Sequence, residues 1–139
     1  MAPPAVFVDT NVFLRFLTAD EPRMAEDCRR LLERAEDGEL QLQTSHLALA
    51  EIVRTLQSHY RVPRAAIAAM LGDLLALRSL RVDHKEMLRA VADLYGSTNV
   101  DFVDAYHALD AARRGIERIC SYDRDFDGLG VTRVEPADV

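Results

Sequence analysis

The chain has 139 residues, 49% of them hydrophobic, which is enough for one domain with a sizeable core and requires no second one. A net charge of −6 at pH 7 argues against capture of nucleic acid by surface charge alone. The apolar stretches are broken well short of a membrane span, the N-terminus lacks the pattern of a signal peptide, and Cys28 and Cys120 have neither a CxxC nor a nearby His partner; these features predict a soluble cytoplasmic protein with reduced thiols and no zinc site.

Ala5-Val6-Phe7-Val8 is β-branched and aromatic with little polar alternation, which predicts a strand buried on both faces of a parallel sheet. Asp9 stands at its carboxyl end, where open α/β sheets bind ligands, although Asp9 or Thr10 equally suits the N-cap of a helix from Asn11 to Leu17. A turn at Thr18 to Pro22, with Asp20 as N-cap, opens a helix to about Asp37. Met24, Ala25, Cys28, Leu31, Leu32 and Ala35 give that helix one apolar stripe, and Gly38 stops it. Arg15, Arg23, Arg29, Arg30 and Arg34 gather in this first quarter, either as a local basic face or as partners of Glu26, Asp27 and Glu33.

Leu40 to Gln43 alternates, as a short edge strand does. Thr44 or Ser45 caps a helix from about His46 to Tyr60, with Glu51 in its middle, and Pro63 opens a helix from Arg64 to Leu77. The latter is apolar nearly all round, which predicts cover from a second subunit or another partner. Leu80-Arg81-Val82 is a third strand; Asp83 and Glu86 form a capping-box pattern for a helix to about Leu94. After the loop Tyr95 to Asn99, a helix starts near Asp101 and ends at Arg113-Arg114-Gly115. Ile116 to Cys120 is a fourth strand with Ser121-Tyr122-Asp123 at its carboxyl end, Asp125 to Gly128 turns back, and Val131 to Val134 adds an edge strand. Strands alternating with helices across short loops indicate a three-layer α/β/α fold with a mainly parallel central sheet.

Asp9 and Asp123 thus lie at strand ends, and Glu51 and Asp104 lie on helices that return beside those strands. Taken singly each has a plain structural reading: Glu51 can pair with Arg54, and Asp101 and Asp104 can cap their helix. Taken together they would repel each other by roughly 3 to 4 kcal/mol per close pair at an effective dielectric near 20, which calls for a cation. Oxygen ligands without a Cys or His cluster select Mg²⁺, with Mn²⁺ as substitute, and such an ion supports attack of water on a phosphodiester. No GxxxxGK[ST], GxGxxG or GxSxG motif is present. His46, His59 and His84 have no partner spacing and read as surface or helix-end residues, and His107 reads as a packing or hydrogen-bonding residue one turn after Asp104.

Val-Asp-Thr-Asn-Val at the N-terminus, the helical Glu51, Asp-Phe-Val-Asp-Ala-Tyr-His-Ala around Asp104 and Ser-Tyr-Asp-Arg-Asp-Phe around Asp123 resemble, in order and spacing from Val6 to Phe126, the PIN-domain family of VapC-type toxins. That resemblance implies a single PIN-like nuclease domain over residues 1–139 and a metal-dependent endoribonuclease. It further implies the toxin of a toxin–antitoxin pair, an RNA substrate, a homodimer and a small antitoxin partner. Asp9, Asp104 and Asp123 carry over as metal ligands and, with Glu51, as the catalytic acids; Asn11 carries over as support for the first acid, Ser121 stands where the family more often has Thr, and Asp101 is either an additional ligand or a cap. The competing reading is an aspartyl phosphotransferase or phosphatase with Asp9 as nucleophile. Against it, the position two after Asp9 is Asn11 rather than a second Asp, and no adjacent acid pair follows the first strand.

Overall fold

A computed structural model describes residues 2–139. In chain order the elements are β1 (Ala5–Phe7), α1 (Thr10–Thr18), α2 (Pro22–Glu36), β2 (Gln41–Gln43), α3 (His46–Ser58), α4 (Arg64–Ala76), β3 (Leu80–Arg81), α5 (Lys85–Ser97), α6 (Phe102–Arg113), β4 (Arg118–Cys120) and β5 (Thr132–Val134). Single 3₁₀ turns lie at Arg124–Phe126 and Pro136–Asp138. Every strand pairing is parallel, and pairs of α-helices connect β1 to β2, β2 to β3 and β3 to β4, as the alternation in sequence predicts for a three-layer α/β/α fold. The strands form a three-stranded sheet in the order β1-β2-β3 and a separate pair, β4-β5.

The sheet places its strands differently from their sequence patterns. β2, predicted at an edge, is the centre: Leu42 pairs with both Val6 and Leu80 and is fully buried. Its polar flanks Gln41 and Gln43 keep partial solvent access, so the alternation reports two unlike faces rather than an edge. β1, predicted to be buried on both faces, pairs only with β2; Val6 is 38% and Phe7 64% exposed, and burial begins only at Val8. An apolar run shows that a strand lacks polar positions, not that neighbours cover it.

The core is assembled from helix stripes meeting β2 and β3. Phe13, Leu49, Ile52 and Leu56 from the first half of the chain pack with Ile67, Leu71, Leu74, Leu88, Val91 and Tyr95. In α4 the bulky residues Ile67, Leu71, Leu74 and Leu75 are all buried inside the chain, mainly against α5. What faces solvent there is Ala65, Ala69, Asp73 and Ala76, so the apolar composition of this helix supplies no argument for a second subunit. Close approach of α4 and α5 is possible because Gly96 has no side chain: a Cβ there would lie 2.5 Å from the Cβ of Ala68.

Capping also departs from expectation. Glu21, not Asp20, caps α2, accepting from the backbone N–H groups of Arg23 and Met24. Asp20 instead accepts from Arg15, Thr18 and Tyr60, tying the α1–α2 turn to the end of α3. The Tyr60 hydroxyl bond is the leading reason that the Asp20 carboxyl is held down to about 2. Gly38 at φ +82 ends α2 as predicted, donating its N–H to the carbonyl of Ala35. The Asp83–Glu86 capping box does not form, because His84 takes the N-cap position in a left-handed conformation and makes no side-chain capping bond. His46 is not a free surface residue: its ring nitrogens meet the Tyr106 hydroxyl and the Asp83 carbonyl, each at 2.6 Å, pinning the start of α3 to α6 and to the β3–α5 loop.

Candidate active site

Three carboxylates meet between the first turn of α6 and the loop after β4. One oxygen each of Asp104, Asp123 and Asp125 lies within 4.8 Å of the others. Asp104 comes from the helix; Asp123 and Asp125 come from the turn that follows β4, and this turn is built rigidly. The Ser121 Oγ accepts the Asp123 N–H at 3.0 Å, and the Asp123 Oδ1 accepts the Asp125 N–H at 2.9 Å. Phe126, buried, anchors the turn against α6. Arg133 reaches from β5 to the Ser121 carbonyl and pairs with Asp127 and Glu135, holding the loop on its outer side.

None of the ion pairs among the described residues involves any of the three acids. The consequence falls on Asp104, the most enclosed of them. Burial raises its pKa first, and the negative charges of Asp123, Asp101 and Asp125 raise it further, opposed only by His107. Asp104, His107 and Ser121 line one shallow cavity of about 440 Å³ between α6 and β4.

Asp9 and Glu51 lie outside the three-acid group. Asp9 is the N-cap of α1, and its Oδ1 accepts the Thr10 N–H at 2.8 Å. The strand end that carries it is fixed from both sides, because Thr44 donates its hydroxyl to the Val8 carbonyl and the buried Thr10 hydroxyl faces the Ala48 carbonyl of α3. Asn11 follows, exposed in the first turn of α1. Glu51 is exposed on α3 and shares a groove of about 660 Å³ with Arg54 and Asp101. No Glu51–Arg54 ion pair is formed. Asp101 takes the N-cap position of α6 but makes no side-chain capping bond, so its carboxylate adds charge toward Asp104 rather than closing the helix end.

Asp104 and Asp123, singled out from sequence, thus come together, Asp101 stands close enough to be felt, and Asp9 and Glu51 are not brought into the group. Asp125 was not among the candidates. Its signal was the Asp-Arg-Asp spacing followed by Phe126, in which a turn anchored by the aromatic ring brings alternate acids to one side. The donor set is oxygen only, carries no compensating cation and includes one carboxyl, that of Asp104, whose pKa is raised by burial and by its acidic neighbours, which fits a hard divalent ion rather than zinc.

A VapC ribonuclease of Aquifex aeolicus (strain VF5) is 27% identical over 129 residues, covering 93% of this chain and 95% of its own length. The model of the PIN domain family matches residues 6–131, spanning the strand before Asp9, the helices with Glu51 and Asp104 and the turn with Asp123 and Asp125, and the chain therefore belongs to the PIN domain family.

Proposed function

We propose that this chain, acting over residues 1–139 as one domain, is a divalent-metal-dependent endoribonuclease and the toxin member of a toxin–antitoxin pair. The observation that carries the reading is the meeting of Asp104, Asp123 and Asp125 without a basic partner, in a PIN-domain chain similar to a VapC ribonuclease. Mg²⁺, or Mn²⁺ in its place, supplies when bound the positive charge that phosphate oxygens require and makes water more acidic.

The remaining work falls to the chain. Asp104 and Asp123 are the principal ligands, with Asp125 beside Asp123 as an added oxygen donor and Asp101 strengthening the negative field; Asp9, outside that group, is the third ligand on the strength of the family membership alone. Ser121 fixes the backbone from which Asp123 projects, and the Thr10 N–H sets the rotamer of Asp9. Asn11, exposed two residues after Asp9, supports that carboxylate or orients the phosphate. Glu51, exposed and unpaired in its groove, takes up the proton of the attacking water. The acidic protein then attracts RNA through the cation rather than through surface arginines, many of which are consumed in pairs such as Arg29 with Glu26 and Glu33.

No helix among the described residues is long and apolar enough to cross a membrane. A cytoplasmic setting, a homodimer and a small antitoxin belong to the same proposal. The test is cleavage of a single-stranded RNA panel by wild type, Asp104→Asn and Asp123→Asn with Mg²⁺ or Mn²⁺. Each variant is expected to lose about 100-fold or more in rate while keeping its circular dichroism, since an amide keeps size and loses the charge that holds the ion. Full activity in a folded variant removes that residue from the site.

A further inference from the structure

The pairing of β1, β2 and β3 lines up one row of unlike side chains across the sheet. Phe7 stands opposite Gln43 and Gln43 opposite Arg81, and residues paired in this way in a parallel sheet project from the same face. The opposite face carries Val6, Leu42 and Leu80, and the last two are buried in the core. The row of Phe7 keeps its access to solvent: Phe7 is 64% exposed, Arg81 is exposed and Gln43 is half-buried. Gln43 donates its side-chain amide to that of Gln41 at 3.3 Å, which places both amides of β2 on this face.

Positive charge gathers at the Arg81 end of the row. A cavity of about 490 Å³ there is lined by Gln43, Thr44, Arg78, Arg81 and Lys85, with Asp83 as the acid among its lining residues. Lys85 is fixed in place, its ammonium donating to the carbonyls of Leu77 and Leu80 at 2.6 and 2.7 Å. Arg89, one turn further along α5, is near enough that its charge, after burial, lowers the Lys85 pKa, opposed by Glu36. Arg78, Arg81, Lys85 and Arg89 take part in none of the ion pairs among the described residues, whereas Arg29, Arg34, Arg113 and Arg133 are each tied to an acid.

We infer that this face of the β1-β2-β3 sheet positions single-stranded RNA, with a base stacked on Phe7, its edge on Gln43 and the backbone phosphates on Arg81 and Arg78. An exposed ring, an amide and a free guanidinium offer in one row a stacking face, a donor with an acceptor, and a fork for phosphate oxygens, which match the parts of an unpaired nucleotide. A duplex keeps its bases stacked on each other and has none to lay on Phe7. An acidic protein would match the arginines and leave the ring and the amide unused. The row also leads toward the candidate acids: Phe7 lies two residues before Asp9, and Thr44 of the cavity donates its hydroxyl to the Val8 carbonyl between them. Contacts of this kind set the register of the strand, while the metal-bound acids act on it. That the ligand is RNA rests on the nuclease reading above; the row and its unpaired cations rest on the sheet register alone.

The test is fluorescence anisotropy of a labelled oligouridine with the full chain in EDTA, so that binding is read without cleavage, over a series of salt concentrations. Phe7→Ala should weaken binding by about 5- to 150-fold and leave the salt slope unchanged, as loss of a stacked base does. Arg78→Gln with Arg81→Gln should weaken it and lower the slope of log K on log salt by about 1.4, at roughly 0.7 per phosphate of a single strand. Arg23→Gln, on α2 and also outside the ion pairs, should change neither. On wild type, the Gln43 side-chain amide should shift in NMR as the RNA is added. Unchanged affinity in both the Phe7 and the arginine variants, with wild type still cutting RNA in Mg²⁺, overturns the inference and leaves the nuclease reading standing. An effect of the arginines without one of Phe7 overturns it in favour of an unspecific anion patch. Conversion of a dimer to a monomer by Phe7→Ala, at constant RNA affinity, overturns it in favour of a second copy on this face. The predicted binding pattern with no cleavage in Mg²⁺ or Mn²⁺ upholds the face and removes the nuclease reading.

Discussion

Asp104→Asn isolates the electrostatic cost of the acid group. In the metal-free protein Asp104 lies no more than 4.8 Å from an oxygen of Asp123 and of Asp125, with burial and like charge both raising its pKa. Asp123 and Asp125 are exposed, so water screens the repulsion strongly. At a dielectric near 80 a pair at this distance costs roughly 0.9 kcal/mol, and salt reduces two such pairs to a total of about 1 kcal/mol. The sign follows from proton linkage. A carboxyl with a folded pKa above its unfolded value binds more protons in the native state within that window, so stability falls as pH rises through it and the loss is complete above the folded pKa. Wild type in EDTA therefore gains stability on acidification from neutrality toward pH 4, and the amide, which does not titrate, lacks this gain. At pH 7 in EDTA the variant melts higher by roughly 3–5 °C, the equivalent of about 1 kcal/mol at this chain length. Mn²⁺ at 100 times its Kd stabilises wild type by about 2.7 kcal/mol and reverses the order. Thermal melts of both proteins with EDTA and with Mn²⁺ decide the matter: a variant that melts lower in EDTA, with Mn²⁺ raising both equally, refutes a shared site.

Three further predictions concern the scaffold. Arg64 donates to the carbonyls of Tyr95 and Val100 and lies 4.0 Å over the Tyr95 ring, clamping the loop that leads to Asp101 and Asp104; Arg64→Lys loses the planar fork and should cost about 1–2 kcal/mol in urea unfolding. An unchanged midpoint would show that the loop holds without it. Gly96→Ala drives a Cβ into Ala68 across the α4–α5 contact and should destabilise by about 1–3 kcal/mol, whereas Gly72→Ala, with nothing within 4 Å, should stabilise by up to about 1 kcal/mol through helix propensity. Equal melting temperatures for the two would contradict the packing described. Tyr60→Phe removes the leading bond on Asp20, so the Asp20 carboxyl should titrate above its value of about 2; an unchanged NMR titration would place the cause elsewhere.

The helices were legible because their signals are local. The stripe of α2, the stop at Gly38 and the opening of α4 after Pro63 each depend on residues within a few turns. Asp104 and Asp123 were legible for the same reason, as acids set at an element start and a strand end. What was not legible depends on who sits next to whom. The run Val6-Phe7-Val8 shows apolar character without revealing that one side of β1 is unpaired, and Leu40 to Gln43 shows alternation without revealing that β2 is central. His46 meets Tyr106 across 60 positions of sequence, which no spacing rule finds. The capping-box pattern at Asp83 failed because His84, in a left-handed conformation, is the residue that leads into α5. Asp125 was hidden in a turn motif whose aromatic anchor, Phe126, decides which way the acid points.

The central claim is that the acids gathered around Asp104 make this chain a metal-dependent ribonuclease, and sequencing of cellular RNA ends after brief induction tests it most directly. Wild type should create a discrete set of new 5′ ends within minutes, and Asp104→Asn, expressed to the same level and folded, should create none of them. The same new ends in both, or none in either while the purified wild type binds Mn²⁺, would contradict it.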